Sequence, residues 1–355
     1  MINLKNMGPT AFKRYIKDKQ IVIFGAGRAL DSCLDIYFEN ENVLFVVDNN
    51  KKLWNTEHVF NNKEYTIFPV KELIKAYKEN NKLICFINSP FYANEIVKQL
   101  DGINELSELE CYLSIVMRKT IEEIKPWSFT NGPQLIPKKI HYIWVGGNEL
   151  PDEFKENIES WRKYNPDYEI IRWDESKLNV EDCEYVKQAY KKKEWAFVSN
   201  YLRLKVIYEN GGIYLDTDVE AVANFDVLLN DKAFFNMGCA DRVNNGCGFG
   251  AVKSNKTIAK MLRRYSSITR DDLNNKSSKL QGHIILNSVL RESGFVIDNQ
   301  YQKNKRNEVL YPNEVMSPFD DKKEKNKKTV SIHKESGTWK SEEEQIKIAD
   351  LLKLM

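Results

Sequence analysis

Much is scarce or missing in these 355 residues, and each absence removes a class of function. No run of 18 apolar residues occurs, so no segment is expected to cross a membrane as a helix. The opening MINLKNMGPTAFKRYIKDKQ has no apolar core of the secretory kind, which predicts a cytoplasmic protein. There is no C-x-x-C pair: the six cysteines stand apart at 33, 85, 111, 183, 239 and 247. That spacing predicts reduced thiols rather than a disulfide framework or a zinc site. Neither sign of charge dominates, with 53 Lys and Arg against 51 Asp and Glu. Nothing therefore draws the whole chain toward nucleic acid or an anionic membrane, and no nucleic-acid partner is expected. No internal repeat is visible.

What is present is a sizeable apolar fraction, 42%, with 7 Trp, 17 Tyr and 17 Phe, enough for two folded domains. The first third alternates apolar strands (QIVIFGAG, NVLFVVDNN, KLICFINS) with helical stretches (RALDSCLDIYFEN, PVKELIKAYKEN, ANEIVKQLDG). Such alternation predicts a parallel sheet covered on both faces, a Rossmann-like domain over residues 1–130. A stretch rich in Pro, Gly and polar residues, KPWSFTNGPQLIPKK, marks the boundary. A second α/β domain is then expected over 131–355. It has strands at KIHYIWVGG and YEIIRWD, helices at PDEFKENIESWRKYN and roughly 195–210, a charged loop over 320–328 and a terminal helix over 341–355.

Gly25 and Gly27 follow the first of these strands and open a helix, and Asp48 ends the next strand. This is the start of a dinucleotide fingerprint, but Leu30 stands where a third glycine would let helix and strand pack closely. Two readings stay open: glycines that only make the turn, or a nucleotide site at Gly25, Gly27 and Asp48.

The stretch YENGGIYLDTDVE, 208–220, carries the chemistry. Two glycines stop a helix. A short apolar strand follows and ends in Asp216 and Asp218. Side chains two apart on an extended segment share a face, so both carboxylates are expected to reach one hard cation. In the preceding helix Ser199, Asn200 and Arg203 lie in the first turns, with 200 and 203 on one face. An arginine there balances carboxylates or reaches phosphate and sugar hydroxyls. His141, alternating within an apolar strand, reads as a core histidine. In NNGCGFGAV, Asn244 and Asn245 read either as turn residues or as partners of sugar hydroxyls.

The segments IPKKIHYIWVGG, SWRKYNPDYEIIRWDE, AFVSNYLRLKVIYENGGIYLDTDVE and SIHKESGTW resemble, in order and spacing, the D-x-D sugar transferases of glycosyltransferase family 32. More distantly they are similar to the large glucosylating bacterial toxins. The resemblance implies a GT-A fold for the second domain and a nucleotide-sugar donor, UDP- or GDP-linked, held through Mn²⁺ or Mg²⁺. It implies that Trp144 stacks on the base, that Ser199 and Arg203 contact the donor, and that Tyr214 lines its pocket. Asn245, Thr338 and Trp339 complete the donor set. Asp218 is implied as the direct metal ligand, with Asp216 and His333 beside it, and Arg203, Asp216 and Asn200 as the catalytic group. Many relatives carry Asp where this chain has Asn200, an amide that donates as well as accepts, and the donor sugar is left open.

The expected activity is retaining sugar transfer to a glycan or lipid-linked acceptor in bacterial surface polysaccharide synthesis. The setting is the cytoplasm or the inner face of the membrane, with membrane contact at most peripheral. The alternatives are a toxin-like transferase acting on a protein, a binding protein whose transferase half is inactive, and a dinucleotide-dependent oxidoreductase.

Overall fold

The computed structural model describes residues 1–355 apart from 40, 90, 121, 275–281, 319–326 and 335–355. The expected terminal helix, most of the 320–328 loop, Thr338 and Trp339 lie outside the described residues. These divide into two compact units between Glu122 and Glu123.

The first unit is built on strands β1 (Asn3–Lys5), β2 (Ile21–Phe24), β3 (Val43–Val47), β4 (Glu57–Phe60), β5 (Lys63–Phe68), β6 (Ile84–Ile87) and β7 (Glu110–Leu113). Its helices are α1 (Pro9–Tyr15), α2 (Leu30–Tyr37), α3 (Val70–Glu79), α4 (Ala93–Asp101) and α5 (Ser114–Lys119). The sheet order is β1-β7-β6-β2-β3-β5-β4, parallel except for the β4–β5 hairpin. That hairpin, absent from the sequence expectation, turns at Asn61 and Asn62, both at positive φ. Asparagine tolerates this conformation better than most residues. The central strands IVIF and ICFI are buried at every position, as a sheet covered on both faces demands. Alternate residues feed two cores, Val22, Phe24 and Cys85 into one and Ile21, Ile23 and Phe86 into the other.

The second unit holds β8 (Lys139–Ile143), β9 (Glu169–Trp173), β10 (Gly212–Tyr214), β11 (Val219–Ala221), β12 (Ala233–Cys239), β13 (Arg242–Val243), β14 (Phe249–Ala251), β15 (Gln302–Lys303), β16 (Glu308–Tyr311) and β17 (Ser331–His333). Its helices are α6 (Asp152–Tyr164), α7 (Glu184–Lys191), α8 (Trp195–Asn210), α9 (Lys256–Ser266), α10 (Arg270–Asn274) and α11 (Gly282–Glu292). The sheet runs β15-β16-β12-β14-β10-β8-β9 with both parallel and antiparallel pairs, β13 joins β12, and β11 and β17 form a separate ribbon. Both units are α/β, the first on a parallel sheet with a terminal hairpin and the second on a mixed sheet.

The paired glycines answer to local sterics. The Gly211 amide closes α8 by donating to Ile207 O at 2.8 Å, and Gly211 and Gly212 both sit at positive φ. A Cβ on Gly212 would fall 2.8 Å from His141 Nε2. That imidazole is wholly buried, faces Gly211 O at 2.9 Å through Nε2, and accepts from Trp173 Nε1 at 3.0 Å through Nδ1. Neutral imidazole, with Nε2–H donating, satisfies both contacts. Burial pulls the His141 pKa down from 6.5 to about 4, although the bond to Gly211 opposes it. Because the folded value lies below the unfolded one, the unfolded chain takes up the proton first. Stability is complete above 6.5 and drains as the pH falls toward 4, by about 3 kcal/mol in all. Urea denaturation at pH 7 and pH 5 is expected to show a drop that His141→Asn largely removes.

Candidate active site

The site is assembled where β10 ends. The chain does not stay extended through the D-x-D triplet, as the sequence expectation had it. The apolar run stops at Leu215, the Asp216 amide donates to Gly246 O at 3.0 Å, and the Val219 amide folds back onto Asp216 O at 3.1 Å. A turn thus separates β10 from β11. The two carboxylates converge through this turn, and β11 then pairs antiparallel with β17, which sets Val219 opposite His333. As a result one ligand atom each from Asp216, Asp218 and His333 lie within 4.8 Å of one another. His333 Nε2 stands 3.2 Å from Asp218 Oδ1. Two carboxylates and an imidazole, all partly buried, form a donor set suited to a divalent ion such as Mn²⁺.

Asp216 is held from behind. Arg203 Nη1 reaches its Oδ2 at 3.2 Å and Nη2 its Oδ1 at 3.2 Å, a bidentate pair. Tyr214 donates to Oδ1 at 2.8 Å and its hydroxyl meets Ser199 Oγ at 2.9 Å. Two further guanidinium donors go to Ser199: Nε to the carbonyl and Nη2 to the hydroxyl, both at 3.0 Å. The guanidinium also lies 4.9 Å over the Tyr214 ring. Burial raises the Asp216 carboxyl above the ordinary carboxylate value; Arg203 opposes this, and the Asp218 charge adds to it. Arg203 in turn stays charged, because the Asp216 charge outweighs the effect of its own burial.

The loop after β13 closes the other side. A Cβ on Gly246 would fall 2.3 Å from Asp216 Oδ2 and 3.2 Å from Arg203 Nη1, so only glycine lets the carboxylate lie against this backbone. Gly246→Ala is expected to cost about 1–3 kcal/mol of stability by displacing that ion pair; a urea midpoint equal to that of the wild type would contradict the packing. Asn244 supports the loop by accepting from the Gly246 amide at 2.8 Å. Asn245 is buried, and neither its side-chain carbonyl nor its amide has a protein partner. A buried amide of this kind is costly unless something absent from the protein itself engages it.

Ser199, Arg203, Tyr214, Asp216, Asp218 and His333 are therefore brought together, with Asn245 one residue from Gly246. Asn200 faces α11, where a Cβ on Gly282 would meet its Nδ2 at 3.2 Å. Trp144 donates to Asn148 O at 2.8 Å and packs edge-on against Phe154. Its neighbour Gly146 is covered by the Trp195 ring and donates to Glu175 Oε1 at 2.6 Å, contacts that no sequence signal announced. Gly25, Gly27 and Asp48 belong to the first unit. There Asp48 accepts from the Ala26 and Asn50 amides at 2.8 and 2.7 Å, and a Cβ on Gly25 would fall 2.8 Å from Asn88 O. Gly25 and Asp48 thus serve the turn itself, while Gly27 faces open space.

Comparison with known proteins bears on the second unit. Residues 151–235 match the model of the glycosyltransferase sugar-binding region containing a DXD motif. An inositol phosphoceramide mannosyltransferase of Schizosaccharomyces pombe is 26% identical over 147 residues, 38% of this chain and 38% of its own. An uncharacterised glycosyltransferase of Acanthamoeba polyphaga mimivirus is 31% identical over 107 residues, 28% of this chain and 43% of its own. The chain thus spans less than half the length of these relatives. Among solved structures the PaToxG glycosyltransferase aligns with a TM-score of 0.37 at 21% identity, covering 45% of this chain and 70% of that one. The matched segment runs from α6 through Asp216 and Asp218 into β12, so the D-x-D corner of this chain is similar to a glycosyltransferase sugar-binding region.

Proposed function

We propose that the second unit transfers a sugar from a UDP- or GDP-linked donor to a glycan or lipid-linked acceptor, with Asp218, Asp216 and His333 holding Mn²⁺ or Mg²⁺. The observation that carries this reading is the convergence of those three ligands; buried Asn245, next in sequence to the Gly246 that lies against Asp216, supports it with a side chain that no protein group engages. Held by these three residues, a divalent ion would supply positive charge to offset that growing on the donor's departing diphosphate. Arg203 fixes the orientation of Asp216 through its two-pronged contact, so that carboxylate does not have to reorganise during the reaction. Asn245 offers a donor and an acceptor to sugar hydroxyls. Both oxygens of Asp216 are already engaged by Arg203 and Tyr214, which disfavours a covalent glycosyl-carboxylate. The acceptor oxygen therefore bonds to the anomeric carbon on the face from which the diphosphate oxygen leaves. Its proton passes to that departing oxygen, and configuration is retained.

Among the described residues no helix is long and apolar enough to cross a membrane. The yeast relative is named for an inositol phosphoceramide, and on that account a lipid-linked acceptor is retained alongside a surface glycan. Bacterial surface polysaccharide synthesis, on the cytoplasmic side of the membrane, is the setting this reading favours. The test is a screen of UDP- and GDP-sugars with lipid-linked, oligosaccharide and protein acceptors, with and without EDTA, reading the product's anomeric configuration by NMR. Retained transfer that EDTA abolishes and Mn²⁺ restores is the expected result. Metal-independent or inverting transfer would overturn the mechanism, and transfer to protein alone would overturn the acceptor.

A further inference from the structure

The D-x-D turn is held by a helix that contributes nothing to the ligand set. Each backbone carbonyl from 216 to 219 accepts a hydrogen bond. Asp216 O receives the Val219 amide and Asp218 O the Lys334 amide, at 3.1 and 3.0 Å. The other two are met by side chains of α6. Asn157 Nδ2 donates to Thr217 O and Trp161 Nε1 to Val219 O, both at 2.8 Å. Between them on the same helical face, Ser160 Oγ accepts from the Ala221 amide at 2.8 Å. Positions 157, 160 and 161 are spaced i, i+3, i+4, so one stripe of α6 faces the turn. Asn157 and Trp161 are essentially fully buried, where a lost bond is not replaced by water.

We propose that Asn157 and Trp161 are positioning residues that set the separation of Asp216 and Asp218, and thereby the affinity of this corner for a divalent cation. The inference rests on the metal site proposed above. Its logic is that of groups lying behind metal ligands: they fix ligand orientation without touching the ion. Thr217 lies between the two carboxylates, and rotation of its peptide unit, freed of Asn157, swings them relative to one another. Val219 is the residue paired with His333, so Trp161 anchors the third ligand's strand as well.

The test measures Mn²⁺ binding by calorimetry on the full chain, for the wild type, Asn157→Leu and Trp161→Phe. Asn157→Leu replaces the whole amide by an apolar group of similar size, and Trp161→Phe removes the indole N–H together with one of its rings. Circular dichroism and the thermal midpoint report whether each variant is folded. We expect folded variants to bind Mn²⁺ roughly 10–100-fold more weakly and to raise KM for the donor more than they lower kcat. Asn157→Gln, which retains an amide donor, is expected to recover part of the affinity. Folded variants that bind Mn²⁺ as the wild type does would overturn the inference while leaving the metal site standing. A wild type that binds no Mn²⁺ would remove the metal site itself, and this inference with it.

Discussion

Asp218→Asn is expected to reduce sugar transfer by roughly 10²–10³-fold or more, with no loss of stability in the metal-free protein. The asymmetry follows from what Asp218 does in the fold. Its backbone carbonyl anchors β17 through the Lys334 amide, and that bond survives the substitution. Its carboxylate lies close enough to Asp216 that its charge raises the Asp216 pKa. Removing that charge relieves the repulsion with Asp216, and the amide oxygen that replaces it still faces His333 Nε2, so the unliganded protein is expected to unfold at nearly the same temperature. What is lost is the stabilisation by added Mn²⁺, which follows the ratio of ligand concentration to Kd. Thermal melts with and without Mn²⁺, run alongside a transfer assay, separate the two effects. A variant with full activity, or one that Mn²⁺ still stabilises as strongly as the wild type, would contradict the assignment.

Arg203→Met is expected to have a large effect of the opposite kind, on stability as well as turnover. Arg203 is 8% exposed and is Asp216's guanidinium partner. Breaking a buried ion pair from one side leaves an uncompensated charge, at a cost of about 3–5 kcal/mol. Asp216 keeps 28% of its side-chain exposure, so the lower end, about 3 kcal/mol, is the expectation. The pH dependence gives the signature. Without Arg203 the Asp216 carboxyl titrates higher in the folded protein than in the unfolded chain. A raised folded pKa confers stability at low pH that is lost as the pH rises through it, so the deficit of the variant is largest at neutral pH and shrinks as Asp216 protonates. Arg203→Lys is not expected to restore function, because an ammonium cannot make the two-pronged contact and also serve Ser199. Urea denaturation across pH 4–8 checks both statements, and a deficit independent of pH would show that Asp216 is not the partner that matters.

The parts of the molecule that were legible in the sequence are those set by short-range pattern. Strands such as IVIF and ICFI are continuous apolar runs, and Gly211-Gly212 is a stop signal that needs no tertiary context. Asp216 and Asp218 were visible as a pair, but the geometry inferred for them was an extended segment. The turn that replaces it depends on Gly246 O and on α6, contacts over 25 residues or more that no local pattern encodes. Arg203 was read as balancing carboxylates or as reaching phosphate and sugar hydroxyls, and the structure shows the first of these. Its commitment to Asp216 and Ser199 depends on how deeply α8 is buried, and that helix is apolar around most of its circumference, so its sequence marks no single inward face. Asn157, Ser160 and Trp161 were given no role because a polar–polar–aromatic stripe on a surface-like helix reads as ordinary amphipathicity until the backbone opposite it is known. Asp48 was legible as an acid at the end of β3, but not its bonds to the Ala26 amide of the glycine turn and to the Asn50 amide.

The pairing of β11 with β17 has a consequence for how the protein comes into being. Val219 and His333 face each other across about 110 residues of chain, a separation at the slow end for contact formation. A ribosome-bound intermediate that already contains both aspartates still lacks the imidazole. If Asp216, Asp218 and His333 hold the ion as proposed, a nascent chain is expected to bind cations weakly until synthesis has passed β17, and a nick between the two strands that releases the later segment is expected to lower activity without touching an aspartate.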